Sequence, residues 1–417
     1  GKISHNNQLL TGGRMDVPWW SGKLRSRHFS GSKPHITRFV PGREGRGLTD
    51  RIDSVVSLMQ KNNIAVLDHN YGLWYDRRRD DHERIRRRNG EVWGPFYEQA
   101  FARSGKGTAW DGLSKYDLTK PNAWYWSRLQ EFAEKGMENG LLLFHENYFQ
   151  HNILEAGAHW VDFPWRSATN INDTGFPEPV PFAGDKRIFM ADMFYDITRP
   201  VRRELHRKYI RQCLNAFADN ENVIQLTSSE FTGPLHFVRF WLDEASDWEK
   251  ETGKNALIAL STTKDVQDAI LADPVRSKIV DIIDIRYWHY KNDGTTYEPE
   301  GGRNLAPRQH ARQMKVGSVS MDEAYRAVKE YRERYPEKAV IYTAQNYPQM
   351  AWAVLFAGGS LPGIPVVNDP DFLKDAVKMN AEKVEKSGNF YFKLGKIDTG
   401  ALIYSLKNNE NLTVELP

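Results

Sequence analysis

Three acidic residues follow short apolar runs of the kind that form buried strands. They are Asp68, Glu146 and Glu230. A pair of carboxyl groups is what glycosidic cleavage requires, because one must protonate the leaving oxygen while the other attacks carbon or activates water. If the fold brings the ends of these runs together, the three residues indicate hydrolysis of a sugar linkage. The alternative for each carboxylate is a structural role in pinning a loop.

Polar and aromatic residues accompany these carboxylates and are candidates for substrate binding. They are His69, His145, Asn147, Arg286, Tyr287, Trp288, Trp74 and Trp160. The chain has 13 Trp, and an aromatic face can serve as a platform for a sugar ring as well as pack in a core. Arg286 could bind a carboxylate on an acidic sugar, or it could form an internal salt bridge with Asp68 or Glu230.

A repeating alternation of apolar runs and amphipathic stretches must position these residues. Eight runs read as strands, each separated from the next by a helical pattern. They are His35–Val40, Ile64–Leu67, Leu141–Phe144, Val223–Leu226, Ala256–Leu260, Ile279–Ile285, Ala339–Tyr342 and Ile364–Val367. This pattern predicts an α/β fold, a (β/α)8 barrel over residues 1–385, with long loops after strands two and three. An open doubly wound sheet is the alternative, but no Gly-rich phosphate turn follows any strand.

Two segments lie outside this alternation. Asp76–Arg88 holds seven Arg and four acidic residues, and it is either a solvated loop or an anion-attracting wall of the barrel mouth. Residues 386–417 are predicted to form a small β-sheet that packs on the barrel or belongs to a larger β-domain. Its strands are Tyr391–Leu394, Ala401–Leu406 and Leu412–Leu416, and the closing helix of the barrel is predicted at Asp371–Glu385.

The composition excludes several classes of function. One Cys in 417 residues cannot form an internal disulfide, and a net charge of +3 is far below that of a nucleic-acid binder. No run approaches the roughly 18 apolar residues of a membrane span, and the His residues show no zinc-ligand spacing. We therefore expect no metal, no cofactor, and no nucleic-acid or membrane partner. We expect a monomer or weak oligomer, in a secreted or periplasmic location.

The segment Thr227-Ser228-Ser229-Glu230 resembles the acid/base position of the retaining (β/α)8 glycoside hydrolases, where the Glu ends strand four. Asn usually precedes that Glu, and this chain has Ser229. The nucleophile of those enzymes ends strand seven, where this chain has Gln345. The segment Trp352–Gly359 and the trailing strands from Gly395 resemble pectin-degrading bacterial relatives of the apiosidase type.

The resemblance implies a glycoside hydrolase acting on a plant or algal polysaccharide fragment, with Glu230 as general acid/base. Gln345 complicates this assignment because an amide cannot serve as nucleophile or base. Three explanations stay open: an engineered Glu→Gln substitution, catalysis by other carboxylates, or a barrel that binds glycan without cleaving it. Glu146 is the first alternative partner of Glu230, and Asp68 the second. The long loops predict a deep pocket and therefore release of terminal sugars.

Overall fold

The computed structural model describes residues 1–16, 36–39, 50–71, 96–97, 99–109, 112–150, 153, 160, 163–180, 190–228, 231–303, 316–344, 350–386, 389–396, 400–405 and 414. In chain order the strands are β1 (Ser4–His5), β2 (Gln8–Leu9), β3 (Gly13–Asp16), β4 (Arg38–Phe39), β5 (Ile64–His69), β6 (Phe96–Tyr97), β7 (Phe101–Arg103), β8 (Tyr116–Pro121), β9 (Leu142–Glu146), β10 (Val223–Leu226), β11 (Leu257–Leu260), β12 (Ile282–Ile285), β13 (His289–Tyr290), β14 (Thr296–Tyr297), β15 (Ala339–Tyr342), β16 (Asn380–Lys386), β17 (Asn389–Lys396) and β18 (Gly400–Tyr404).

The α-helices lie between these strands. They are α1 (Ile52–Lys61), α2 (Ala123–Glu138), α3 (Ala191–Phe194), α4 (Pro200–Ala216), α5 (Leu235–Thr252), α6 (Lys264–Leu271), α7 (Met321–Arg334), α8 (Ala351–Phe356) and α9 (Pro370–Lys378). None of the helices in the described part of the chain is long and apolar enough to cross a membrane.

Seven parallel strands form one sheet in the order β15-β12-β11-β10-β9-β5-β3. The gap between its two edges is bridged by the segment 360–362. The amide of Ser360 donates to the carbonyl of Val340 (2.7 Å), and the amide of Gly12 donates to the carbonyl of Pro362 (3.1 Å). The sheet thus closes into the predicted (β/α)8 barrel, and the carboxyl ends of its strands meet at one mouth.

The first and last barrel strands differ from the prediction. β3 pairs in parallel with β5 and is the first barrel strand, whereas Arg38–Phe39 pairs antiparallel with Phe96–Tyr97 outside the barrel. The assignment of His35–Val40 as the first barrel strand was wrong, because β3 contains one apolar residue, Met15, and gives no periodic signal. The predicted strand Ile364–Val367 was also wrong, since the bridging segment lies earlier and Val366 is 60% exposed.

Alternation along the strands divides the core into two layers. Val66, Phe144 and Ile282 belong to a cluster that fills the barrel interior. The residues next to them in the sequence point to the other face of the sheet and pack between the strands and the surrounding helices. Examples are Leu67, Leu143 and Ile283. Because side chains alternate with a period of two, the residues two positions beyond the inner set also point into the barrel. Those residues are Asp68, Glu146 and Asp284.

A three-stranded antiparallel sheet, β16-β17-β18, packs on the outside of the barrel. Tyr325 contacts Phe392 with ring centres 4.8 Å apart, and Trp352 stacks parallel to Tyr404 at 6.4 Å. The predicted helix to Glu385 was wrong, because α9 ends at Lys378 and the sheet begins at Asn380. Residues 381–386 favour a helix by composition, but pairing with β17 along their whole length overrides that preference. The predicted strand Leu412–Leu416 lies outside the described residues, apart from residue 414.

Candidate active site

A buried ion-pair cluster forms the floor of the barrel mouth. The Oδ2 atom of Asp68 accepts hydrogen bonds from Nη2 of Arg14 (2.5 Å) and from Nη2 of Arg286 (3.2 Å). Asp68 is 1% exposed, so these contacts are shielded from water. The three residues come from β3, from β5 and from the position just after β12, so the closure of the barrel brings them together.

A second carboxylate completes this cluster. The Nε atom of Arg286 donates to Oδ2 of Asp284 (3.1 Å), and the hydroxyl of Thr343 donates to Oδ1 of Asp284 (2.6 Å). Nη1 of Arg14 lies 3.9 Å from Oδ2 of Asp284. The floor therefore contains two guanidinium groups and two aspartates in alternating contact, and Arg286 bridges the two aspartates.

Glu146 lies against this cluster and is also 1% exposed. Its carboxyl group interacts with that of Asp68. Burial by itself would raise the pKa of Asp68, but the charges of Arg14 and Arg286 and the hydrogen bonds with Glu146 and Arg14 together lower it to about 2. Asp68 is therefore ionised at neutral pH, which is the charge state that the two guanidinium groups require.

Glu230, Gln345 and Trp74 lie outside the described residues. The chain that leads to the first of them is described as far as Ser228, which is fully buried. In the register of the sheet, Leu226 at the end of β10 stands beside Glu146 at the end of β9. Glu230 follows four residues later in the sequence, and Gln345 follows two residues after Thr343.

His69, His145 and Asn147 lie on the other side of the strands, between the barrel and its helices. His145 donates from Nδ1 to Oε1 of Gln225 (2.9 Å), and the side chain of Asn147 donates to the same oxygen (2.8 Å). The indole Nε1 of Trp241 donates to Oδ1 of Asn147 (2.8 Å). Burial lowers the pKa of His69 to about 3 and that of His145 to about 4, so both rings are neutral at neutral pH.

These positions differ from the prediction that the three residues bind substrate. His69 hydrogen-bonds with the hydroxyl of Thr37 (2.9 Å) and meets the ring of Tyr125 edge-on. All three side chains are buried against the protein and face away from the barrel interior that holds Asp68 and Glu146. The structure therefore gives them packing and hydrogen-bonding roles in the strand–helix layer.

The predicted aromatic platforms are buried as well. Trp288 donates from Nε1 to Oε1 of Gln267 (2.9 Å) and packs edge-on against Tyr331. Trp160 packs edge-on against Phe176, with ring centres 4.9 Å apart. Neither tryptophan exposes a ring face, which a sugar platform would need, and Tyr287 is also buried. Of the predicted binding residues, the structure brings Asp68 and Arg286 together with Glu146.

Residues 1–379 match the family described as "Domain of unknown function (DUF6298)". The chain belongs to this family. No curated protein matches it in sequence.

Three solved structures illustrate what the chain is similar to. An endo-1,4-β-mannanase from Rhizomucor miehei has 10% identity and a TM-score of 0.40, covering 85% of this chain and 85% of that one. A glycoside hydrolase family 5 protein from Bacteroides vulgatus ATCC 8482 has 10% identity and a TM-score of 0.40, covering 84% and 72%. A family 1 β-glucosidase from Thermotoga maritima has 13% identity and a TM-score of 0.34, covering 82% and 78%. Likenesses this distant carry no argument about activity, and the barrel rests on its own strand order and register.

Three residues of the floor, Arg14, Asp284 and Thr343, did not emerge from the sequence. Asp284 gives a signal that could have identified it, because a charged residue stands inside the apolar run Ile282–Ile285. Thr343 directly follows a predicted strand. Arg14 gives no such signal, since its strand has no apolar pattern.

Within the described ranges, no three His, Cys, Asp or Glu side chains are grouped to hold an ion. The carboxylates of Asp68 and Asp284 face guanidinium groups, which occupy the place that a cation would take.

Proposed function

We propose that this protein is a glycoside hydrolase in which Glu146 and Glu230 are the two acting carboxyl groups. The observation that carries the proposal is the placement of Glu146 in the barrel interior at the end of β9, beside the end of β10. Glu230 follows β10 by four residues in the sequence, and β10 is the neighbour of β9 in the sheet. Paired carboxyl groups that follow neighbouring strands of a barrel suit glycosidic cleavage.

The floor cluster explains the preference for Glu146 over Asp68 as partner of Glu230. A carboxylate whose charge is already neutralised is a weaker base and nucleophile, and Oδ2 of Asp68 is held by both Arg14 and Arg286. Gln345 occupies the nucleophile position of the resembled enzymes and cannot take that role. Glu146 ends the strand beside β10 and is the carboxyl group that we propose as the partner of Glu230.

The substrate we propose is a plant or algal polysaccharide fragment from which terminal sugars are released. The long connections after β5 and β9 support a deep pocket. Arg286 no longer supports an acidic substrate, since Asp68 and Asp284 already neutralise it. The proposal of an acidic glycan therefore depends on the basic insertion Asp76–Arg88, which lies outside the described residues. A secreted or periplasmic monomer or weak oligomer fits this role.

The test is hydrolysis of a panel of plant and algal oligosaccharides by the wild type, Glu146→Gln and Glu230→Gln. We expect each variant to lose activity by at least about 100-fold, the usual contribution of an acid/base group. Glu244→Gln is the matched control, because Glu244 is a buried glutamate on the outer helix α5, paired with Arg207 and Arg211.

Unchanged turnover in Glu146→Gln or Glu230→Gln would contradict the assignment of that residue. Binding of an oligosaccharide without any cleavage by the wild type would favour the alternative, a glycan-binding barrel. A further variant, Gln345→Glu, addresses the third explanation: a gain of orders of magnitude would show that a nucleophile had been removed at this position.

A further inference from the structure

A cavity of about 200 Å³ lies between three of the connections that follow barrel strands. Its lining residues come from 191–195 after β9, from 232–236 after β10 and from 302–303 after β12. Connections that leave the carboxyl ends of barrel strands surround the mouth of the barrel. The cavity, which we call the rim cavity, therefore lies at the same face of the barrel as Asp68 and Glu146.

Hydrogen bonds join the three connections around the rim cavity. The amide of Gly302 donates to the carbonyl of Thr232 (2.8 Å), which joins the connection after β12 to the one after β10. Nε2 of His236 donates to the carbonyl of Tyr195 (3.0 Å), which joins the connection after β10 to the one after β9. The protein itself therefore holds the walls of the cavity in place, as in most small-molecule sites.

Gln150 connects the rim cavity to the end of β9. It follows Glu146 by four residues and is fully buried. Its side chain accepts a hydrogen bond from the hydroxyl of Tyr195 and donates one to the hydroxyl oxygen of Thr232 (3.3 Å), and both of these residues line the cavity. Four residues of extended chain span at most about 14 Å, which limits the distance between the Cα atoms of Glu146 and Gln150. One short oligosaccharide is long enough to contact the end of β9 and the cavity together.

The lining of the rim cavity contains both hydrogen-bond donors and acceptors. The ion pair of Arg303 with Glu300 uses Nε (3.0 Å), and its guanidinium carries four further N–H donors. Asp192 supplies a carboxylate, whose roughly four acceptor positions serve several partners, and His236 adds a ring. A hydroxyl group both donates and accepts, whereas a phosphate ester or an ammonium group offers one kind of bond. The mixed lining therefore fits a ligand rich in hydroxyl groups.

The size of the rim cavity indicates how much of such a ligand it holds. Cavities that enclose a whole drug-sized molecule measure about 300–1,000 Å³, so one of about 200 Å³ suits a single residue of a longer glycan. Gly302 has a φ of +78°, and a Cβ at this position would lie 3.3 Å from Cβ of Pro234, another lining residue. Glycine therefore keeps this part of the cavity open.

We propose that the rim cavity is a sugar-binding subsite, in which Arg303, Asp192 and His236 bind the hydroxyl groups of one residue of the glycan. The link to cleavage rests on the proposed function: release of a terminal sugar leaves the rest of the glycan to be held at the rim of the mouth. Arg303 is then a specificity-determining residue that favours oligosaccharides over glycosides of a single sugar.

Kinetics on two substrates test the role of Arg303. The substrates are an oligosaccharide that the wild type cleaves and the nitrophenyl glycoside of its terminal sugar, which is too short to reach the rim cavity. Arg303→Ala should lower the ratio of the two kcat/KM values, oligosaccharide over nitrophenyl glycoside, by about 10-fold, the usual effect of losing a hydrogen bond to a charged group.

Arg199→Ala is the matched control for this measurement. The side chain of Arg199 is 69% exposed and pairs with Asp196 three residues earlier, as that of Arg303 is 62% exposed and pairs with Glu300. Arg199 does not line the rim cavity, so its replacement should leave the ratio unchanged. An unchanged ratio in Arg303→Ala, or an equal fall in both variants, would overturn the proposal.

NMR of isotope-labelled histidine side chains tests binding without cleavage. The probes are the hexaoses of mannan, xylan and cellulose, added to Glu146→Gln to slow their hydrolysis, and His236→Gln assigns the His236 signal. We expect at least one hexaose to shift that signal. The signal of His5 should not move, because His5 is exposed beside Gly140, which precedes β9 and so lies at the opposite end of the barrel.

The two measurements separate this proposal from the proposed function. If the wild type cleaves a hexaose that leaves the His236 signal unchanged, the subsite is overturned and the proposed function stands. If no glycoside is cleaved but a hexaose shifts the His236 signal, the proposed function fails and the subsite stands as a glycan-binding site. If neither cleavage nor a shift is observed, both are overturned.

Discussion

Replacement of Asp68 by Asn should destabilise the protein by about 3–5 kcal/mol at pH 7.5, the usual cost of removing one partner from a buried ion pair. The reason is that the guanidinium groups of Arg14 and Arg286 lose the carboxylate that both contact. The pKa of Asp68, which is lowered from 3.8 to about 2 in the folded protein, gives a similar order of magnitude. At about 1.4 kcal/mol per pKa unit, that shift corresponds to roughly 2–3 kcal/mol at neutral pH.

Urea unfolding at pH 7.5, followed by tryptophan fluorescence and circular dichroism, measures this free energy. The matched control is Asp219→Asn, the same chemical change at a carboxylate whose side chain is 87% exposed and pairs with Lys254 at 2.6 Å. Exposed pairs contribute at most about 1 kcal/mol, so this variant should unfold close to the wild type. A large difference between the two variants isolates the effect of burial.

A double-mutant cycle sharpens the result. Arg14→Met removes the guanidinium but keeps the length of the side chain, so Asp68→Asn combined with it should cost less than the sum of the two single changes. We expect a coupling free energy of at least about 1 kcal/mol. The view that the floor is an ion-pair cluster would be refuted by either of two results. The free energy of unfolding of Asp68→Asn could lie within about 1 kcal/mol of the wild-type value, or the effects of the two changes could be additive in the cycle.

The placement of the residues behind the strands gives two further predictions. Asn147→Ala should cost about 2–3 kcal/mol in the same urea assay, because it leaves the buried indole of Trp241 without a partner and removes one of the two hydrogen bonds to Oε1 of Gln225, and KM for any cleaved glycoside should not change. The wild type should lose stability as the pH falls below 6.5: the folded pKa values of His69 and His145 are lowered to about 3 and about 4, so the unfolded chain binds protons first. The urea midpoint should therefore be lower at pH 5.5 than at pH 7.5, and an equal or higher midpoint would contradict the assignment of neutral buried imidazoles.

The alternation of apolar runs and helical patterns predicted six of the barrel strands within a few residues, from Ile64 to Tyr342. Each of these strands is buried on both faces and contains a continuous apolar run, which makes it visible in the sequence. β3 is short and polar, and only pairing with β5 makes it a strand. β16 shows the reverse, because residues that favour a helix are held in a sheet by β17.

The same burial on both faces explains why candidate site residues were only partly separated from packing residues. Asp68 and His69 are adjacent, as are Glu146 and Asn147, and the alternation of side chains sends one of each pair into the barrel and the other toward the helices. An apolar run that is buried on both sides does not reveal which residue takes which direction. Only the register with neighbouring strands fixes it, and the register is a property of the closed sheet.

The charge state of Asp68 depends on Arg14, which lies on β3, the strand that the sequence pattern did not predict. Without Arg14, Asp68 would face one guanidinium group, which Asp284 already engages. With Arg14 in place, two cations hold Asp68 as an ionised carboxylate. The roles of carboxyl groups at a barrel mouth thus follow from which cations the closed barrel places against each of them. The order of the carboxyl groups along the chain does not determine those roles.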